Sequence, residues 1–184
     1  MRKFIFISPI IVFLCIIFIF LYLLIIKNDP SELPSVLINK NAPKFETLSL
    51  LSEKSFLYEK EFNNDLKIVN FFASWCVPCS AEHKYIDQLS KEKGIKVIGI
   101  NYKDDPKKAL QWLDNLGNPY SDVAIDSSGD IAINWGVYGI PETFIVNYNN
   151  IIQYRLAGPI TKKNYDIFYQ QIIKINNVKK SKIK

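Results

Sequence analysis

Cysteine and histidine are scarce in this chain, with three cysteines and one histidine among 184 residues. That scarcity argues against a closed structural zinc site, which takes four ligands, usually from two closely spaced pairs. Cys76, Cys79 and His83 have ligand-like spacing along one helix face, but no second C-x-x-C exists to complete a set. Charge is missing from one long stretch. Residues from Phe4 to Ile26 are almost wholly Ile, Phe, Leu and Val, carry no charge, and would span about 34 Å as a helix. No small-x-small site follows, and the apolar run exceeds the roughly 7–15 residues of a cleaved signal peptide. A buried core helix is excluded because the run has no polar face. The reading is an uncleaved transmembrane anchor over residues 1–27. Arg2 and Lys3 on its near side keep the N-terminus cytoplasmic and export the remainder.

A net charge of +5 does not make the exported part basic. With Arg2, Lys3, Lys27, Asp29 and the five lysines from Lys174 onward set aside, 15 basic and 17 acidic side chains remain. Nucleic acid is therefore not an expected partner. The lysines of residues 177–184 read as a solvated basic tail.

NDPSELP, without periodicity, reads as part of a linker over residues 28–42, followed by one domain over residues 43–176. Strands are predicted at Phe45 to Leu50, Lys67 to Phe72, Lys96 to Asn101, Asp122 to Ile125, Thr143 to Asn147 and Ile151 to Leu156. Helices are predicted at Val77 to Lys93, Pro106 to Leu116 and Thr161 to Ile175. Asn149 and Asn150 form the turn of a closing hairpin. Strands joined by helices and ending in a hairpin imply an α/β fold: a thioredoxin-like mixed sheet flanked by helices, with the N-terminal transmembrane helix appended.

KIVNFFASWCVPCSAEH sets C-x-x-C between a buried strand and a helix. Cys15 lies in the apolar span, so Cys76 and Cys79 alone can pair within the exported domain. A bridge closing so short a loop restrains the unfolded chain little, which points to chemistry rather than stapling. At a helix N-terminus, unsatisfied N–H groups and the helix dipole lower the pKa of Cys76 and make it the attacking nucleophile. Cys79, one turn deeper, is placed to attack the mixed disulfide that Cys76 forms. Trp75 offers a shielding aromatic surface beside the pair, and Pro78 starts the helix without wasting a donor. No cofactor and no metal is required beyond the Cys76–Cys79 disulfide itself.

ASWCVPCSAEH, GINYKDD, GNPY and GVYGIPETF, in that order, resemble the cytochrome c maturation thiol:disulfide interchange family known as CcmG or DsbE. The resemblance implies a reducing domain in the periplasm, anchored in the bacterial inner membrane. It implies apocytochrome c, through its C-x-x-C-H cysteines, or a maturation thiol protein as substrate, and a transmembrane electron donor of the DsbD or CcdA type. By position it makes Cys76 and Cys79 the redox pair, Ile140–Pro141 the cis peptide facing them, and Glu82, Tyr138 and Glu142 the residues around the family's acidic groove. Asn70 stands where ordinary thioredoxins carry a buried aspartate, so Glu82 or Glu142 is expected to take over that proton-accepting role. A disulfide-forming oxidase is the nearest rival, and a tethered binding module with an inert bridge is the rival from another class.

Overall fold

The computed structural model describes residues 2–25, 36–52, 54–56, 58–62 and 64–182. The chain divides into two units, Met1–Glu32 and Leu33–Lys184. In the first, α1 (Arg2–Ile25) is a 24-residue helix containing Pro9, and residues 11–22 are exposed throughout. Among the described residues no helix is long and apolar enough to cross a membrane, and the transmembrane helix expected over residues 1–27 finds no support there. Much of the expected linker, residues 28–35, lies outside the described residues. Residues 39–42 of that segment are hydrogen bonded to the hairpin: Asn39 donates to Ile152 O (2.8 Å) and Ala42 to Asn150 O (2.7 Å).

In the second unit the order is α2 (Tyr58–Glu61), β1 (Lys67–Phe72), α3 (Val77–Asp87), β2 (Lys96–Tyr102), α4 (Pro106–Leu116), β3 (Asp122–Asp126), α5 (Asp130–Asn134), β4 (Glu142–Val146), β5 (Ile152–Ala157) and α6 (Tyr165–Lys182). A π-helical turn, Gln88–Glu92, prolongs α3. The five strands form one mixed sheet in the order β3-β2-β1-β4-β5, with β1, β2 and β3 mutually parallel and β4 antiparallel to both its neighbours, β1 and β5.

Every residue of β1 is buried, as a central strand covered on both faces requires. Ile68 and Phe72 pack on one face with Cys79, Ile86, Leu89 and Phe168. Val69 and Phe71 pack on the other with Ile98, Trp135 and Phe144. Strand alternation puts Asn70 on the Ile68 face, the face that carries the cysteines.

Three expectations change. The strand at Phe45 to Leu50 does not form. Its backbone is divided between two neighbours, with Leu50 donating to Val123 O and Ser49 to Lys54 O, so only isolated bridges result. The last helix begins at Tyr165 because Asn164 Oδ1 accepts from Thr161 N (2.6 Å), holding residues 161–164 in a turn. It also runs to Lys182, through most of the segment expected as a tail. Helices α2 and α5, at four and five residues, are too short to leave a periodic signal in the sequence.

Candidate active site

Cys76 is the N-cap of α3: its backbone is extended, and its Sγ accepts the N–H of Cys79 at 3.2 Å. Pro78 occupies the first turn, where a missing N–H costs nothing. Cys76 and Cys79 are joined in a disulfide. Both are nearly covered, at 4% and 1% exposure, so burial hardly separates them. What distinguishes them is position, Cys76 at the cap and Cys79 inside the first turn. Trp75 and Val77, on either side of Cys76, are exposed.

The Ile140–Pro141 peptide is cis. Ile140 packs against both core clusters, one of which contains the two cysteines. Tyr138 stands exposed in that loop. Arg155, from β5, organises it. Its Nε is paired with Glu142 Oε1, its guanidinium lies over the Tyr138 ring at 4.7 Å, and Nη2 reaches Gly136 O at 3.5 Å. Glu142 pairs in register with Ala157, which makes Arg155 its diagonal cross-strand neighbour. The sequence reading missed Arg155. The available signal was an acid at the start of a buried strand that needed a cation from the hairpin partner.

Below the cysteines lies a second polar group. Glu82 is on α3 one turn after Cys79 and is 1% exposed. Its Oε1 accepts from Asn70 Nδ2 (2.9 Å) and its Oε2 from the N–H of Ile160 (2.8 Å). Asn70 Nδ2 also donates to Thr143 Oγ1 (3.0 Å), while Asn70 Oδ1 accepts the hydroxyl of Tyr120 (2.9 Å). Only a side chain that both donates and accepts fits this position. An aspartate would set a second carboxylate against Glu82. Burial raises the Glu82 pKa to about 7, outweighing the opposing bonds from Ile160 and Asn70. The Tyr120 phenol is pushed well above its ordinary value by burial and then by Glu82, so it serves Asn70 as a donor.

The GNPY segment brings Tyr120 there. Tyr120 stacks on Phe72 with centroids 4.8 Å apart. Gly99 permits this, since a Cβ would come within 2.9 Å of Phe72 and 3.1 Å of Tyr120. The same segment holds the active-site helix: Gly117 O meets His83 Nε2 at 2.8 Å, and Pro119 O accepts from Ser90 Oγ (2.7 Å). His83 is thus turned toward a backbone carbonyl, edge-on to Trp112, and burial lowers its pKa.

The resemblance places Glu82 and Glu142 around an acidic groove. Both carboxylates are buried, at 1% and 0% exposure, one among neutral donors and one against Arg155, and neither lines an open surface. The exposed side chains are Trp75 and Val77, which flank Cys76 in sequence, and Tyr138, in the loop before the cis peptide. What the arrangement offers chemically is a disulfide sulfur at a helix N-terminus, a second cysteine in the first turn, and a buried acid on the same helix whose pKa burial raises to about 7.

The family model for redoxin matches residues 38–170. The chain is 41% identical to the thiol:disulfide interchange protein DsbE of Vibrio cholerae over 170 residues, covering 90% of this chain and 91% of that protein. It is likewise 41% identical to DsbE of Escherichia coli over 171 residues, with the same coverage. Among solved structures, that of a DsbE-type thiol:disulfide interchange protein from Chlorobium tepidum superposes with a TM-score of 0.67 at 23% identity, covering 77% of this chain and 99% of that one. That level of identity supports the thioredoxin-like fold alone. With a redoxin domain over most of its length and extended identity to DsbE proteins around the Cys76–Cys79 pair, the chain belongs to the DsbE family of thiol:disulfide interchange proteins and is a thiol-disulfide oxidoreductase.

Proposed function

We propose that this chain is a membrane-anchored periplasmic reductant that opens disulfides of apocytochrome c, or of a partner thiol protein, during cytochrome c maturation. The observation that carries the reading is the N-cap cysteine pair with a buried, near-neutral acid behind it and exposed aromatic side chains in front. In the reduced protein the Cys76 thiolate attacks one sulfur of the substrate disulfide, the substrate S–S bond breaks, and the departing sulfur takes up a proton. Cys79 then loses its proton and attacks Cys76 Sγ. The Cys76–Cys79 bond forms, the mixed disulfide breaks, and the second substrate sulfur leaves and is protonated. Two electrons have passed to the substrate.

Glu82, a turn after Cys79 on the same helix, is the acceptor for the Cys79 proton in this reading, because Glu142 is committed to Arg155. Asn70 orients Glu82, and Trp75, Tyr138 and the Ile140–Pro141 segment receive the substrate chain. A dithiol donor of the DsbD or CcdA type, spanning the membrane, returns the two electrons. What supports the anchor is the composition of the uncharged run from Phe4 to Ile26, which has no polar face.

The test is the reduction potential of the pair in the full chain, equilibrated with glutathione buffers. A value near about −200 mV or lower supports the reductant, with a disulfide-bonded C-x-x-C-H peptide as the next substrate. A value near about −120 mV makes the protein an oxidase, and a pair resisting reduction below about −300 mV makes the bridge structural.

A further inference from the structure

The loop between β2 and α4 ends the GINYKDD motif, and it grips the segment that leads into Cys76. Asp104 Oδ2 accepts the backbone N–H of Ser74 (2.5 Å) and Asn101 Nδ2 (3.0 Å), while Oδ1 accepts Ser74 Oγ (2.8 Å) and the N–H of Asp105 (2.8 Å). One residue back, Lys103 O accepts the indole N–H of Trp75 (3.1 Å). Consecutive loop residues thus hold consecutive residues of the Ser74–Trp75–Cys76 run. Helix capping does not account for Asp104, because Asp105 already fills that role by accepting from Lys107 N (2.8 Å) and Lys108 N (3.3 Å). Asn101, buried at the end of β2, in turn donates to Asp104 and ties the carboxylate to the sheet.

We propose that Asp104 is a positioning residue for the thiol-disulfide reaction, acting through Ser74. Its carboxylate fixes the turn after β1, so that Cys76 stays at the cap of α3 with its sulfur aligned for attack and Trp75 stays beside it, tied to Lys103 O. The strength of the grip comes from charge-assisted bonds, shorter and stronger than those between neutral groups. An Asn at this position cannot replace it, since its Nδ2 would face donors in either orientation, Ser74 N and Asn101 Nδ2 in one and the N–H of Asp105 in the other.

The experiment uses the reduced full chain and oxidised glutathione as the disulfide, following the rate against pH to its plateau, where Cys76 is fully ionised. Removing a nearby negative charge would move the midpoint and lower the plateau only in step with it, by about three-fold per pKa unit, because a less basic thiolate is a weaker nucleophile. Loss of alignment lowers the plateau. D104N should lower the plateau on the order of ten-fold, as small misplacements of reacting groups do. S74A, which keeps the backbone bond, should lower it several-fold. The D104N, S74A double variant should lose little beyond D104N, because the hydroxyl acts through the carboxylate. Plateaus within two-fold of the parent for both single variants would overturn the proposal, as would effects that simply multiply in the double variant. Should D104N fail to fold, S74A alone decides: an unmoved plateau with a lowered melting temperature means that the clamp only braces the loop.

Discussion

The two sides of the active site each bury a carboxylate, and they treat it differently. On the helix side Glu82 has only neutral donors, Asn70 and the N–H of Ile160, and its pKa rises to about 7. On the hairpin side Glu142 meets the Arg155 guanidinium, and although burial still raises its pKa, the ion pair opposes the rise. The first arrangement leaves a group able to exchange a proton near neutral pH. The second spends its charge on architecture, pinning Tyr138 and Gly136 through a shared arginine. Burial alone does not decide what an acid does; the partner supplied by the neighbouring element does.

That contrast can be broken from the hairpin side with the largest effect. Arg155→Met strands Glu142 without a counter-charge and should cost about 3–5 kcal/mol in urea unfolding. The double variant R155M, E142Q should recover much of this loss. If the single variant costs no more than an exposed ion pair would, Glu142 is not held as described.

On the helix side, Gly99→Ala forces a methyl against Phe72 and Tyr120 and should destabilise by about 1–3 kcal/mol. The loss should fall when the alanine is combined with Tyr120→Ala, which clears the space. Equal losses in both backgrounds would remove Tyr120 from the explanation.

Glu82→Gln sharpens the comparison through pH. Ionisation of Glu82 is penalised in the folded state, so its contribution to stability is fully present below the ordinary carboxylate value and is lost as pH rises through about 7. The glutamine variant should gain on the order of 2 kcal/mol relative to the parent at pH 8 and converge with it in acid, where both side chains are neutral. Stability curves that stay parallel from pH 4 to pH 8.5 would show that Glu82 does not titrate in this window. The same variant should flatten the step near pH 7 in the rate at which Cys79 resolves a mixed disulfide. The smallest effect is expected from Tyr120→Phe, which removes one buried hydrogen bond to Asn70 and should cost about 0.5–1.5 kcal/mol, read as a lower melting temperature.

Much of the scaffold could be read from the chain. Buried strands such as Lys67–Phe72 announce themselves by continuous apolar runs, and α4 by Pro106 in its first turn after a capping Asp105. Residues 45–50 misled because an apolar alternation specifies strand geometry without saying whether one partner takes the whole ladder. Two partners share it here. At the site, Cys76 and Cys79 were legible from spacing and context, since a strand followed by a helix start is a local feature. Glu82 and Glu142 were located, but their burial was not, because an acid on a helix or at a strand end looks the same whether the covering element is present or not. Arg155, Asp104 and Tyr120 went unassigned because each reaches the site from a separate strand or loop.

The sequence by itself determined the cysteine pair, the helix start beside it, the order of the five sheet strands and of the three longer helices among them, and the uncharged run at the N-terminus, because each depends on neighbours a few residues away. Only the tertiary structure decided which carboxylate keeps a titratable proton, which is neutralised by a cation, and which loop holds the cysteine segment. Those outcomes depend on desolvation and on hydrogen bonds between residues separated by as many as 78 positions, as between Ile160 and Glu82, and no local pattern encodes them.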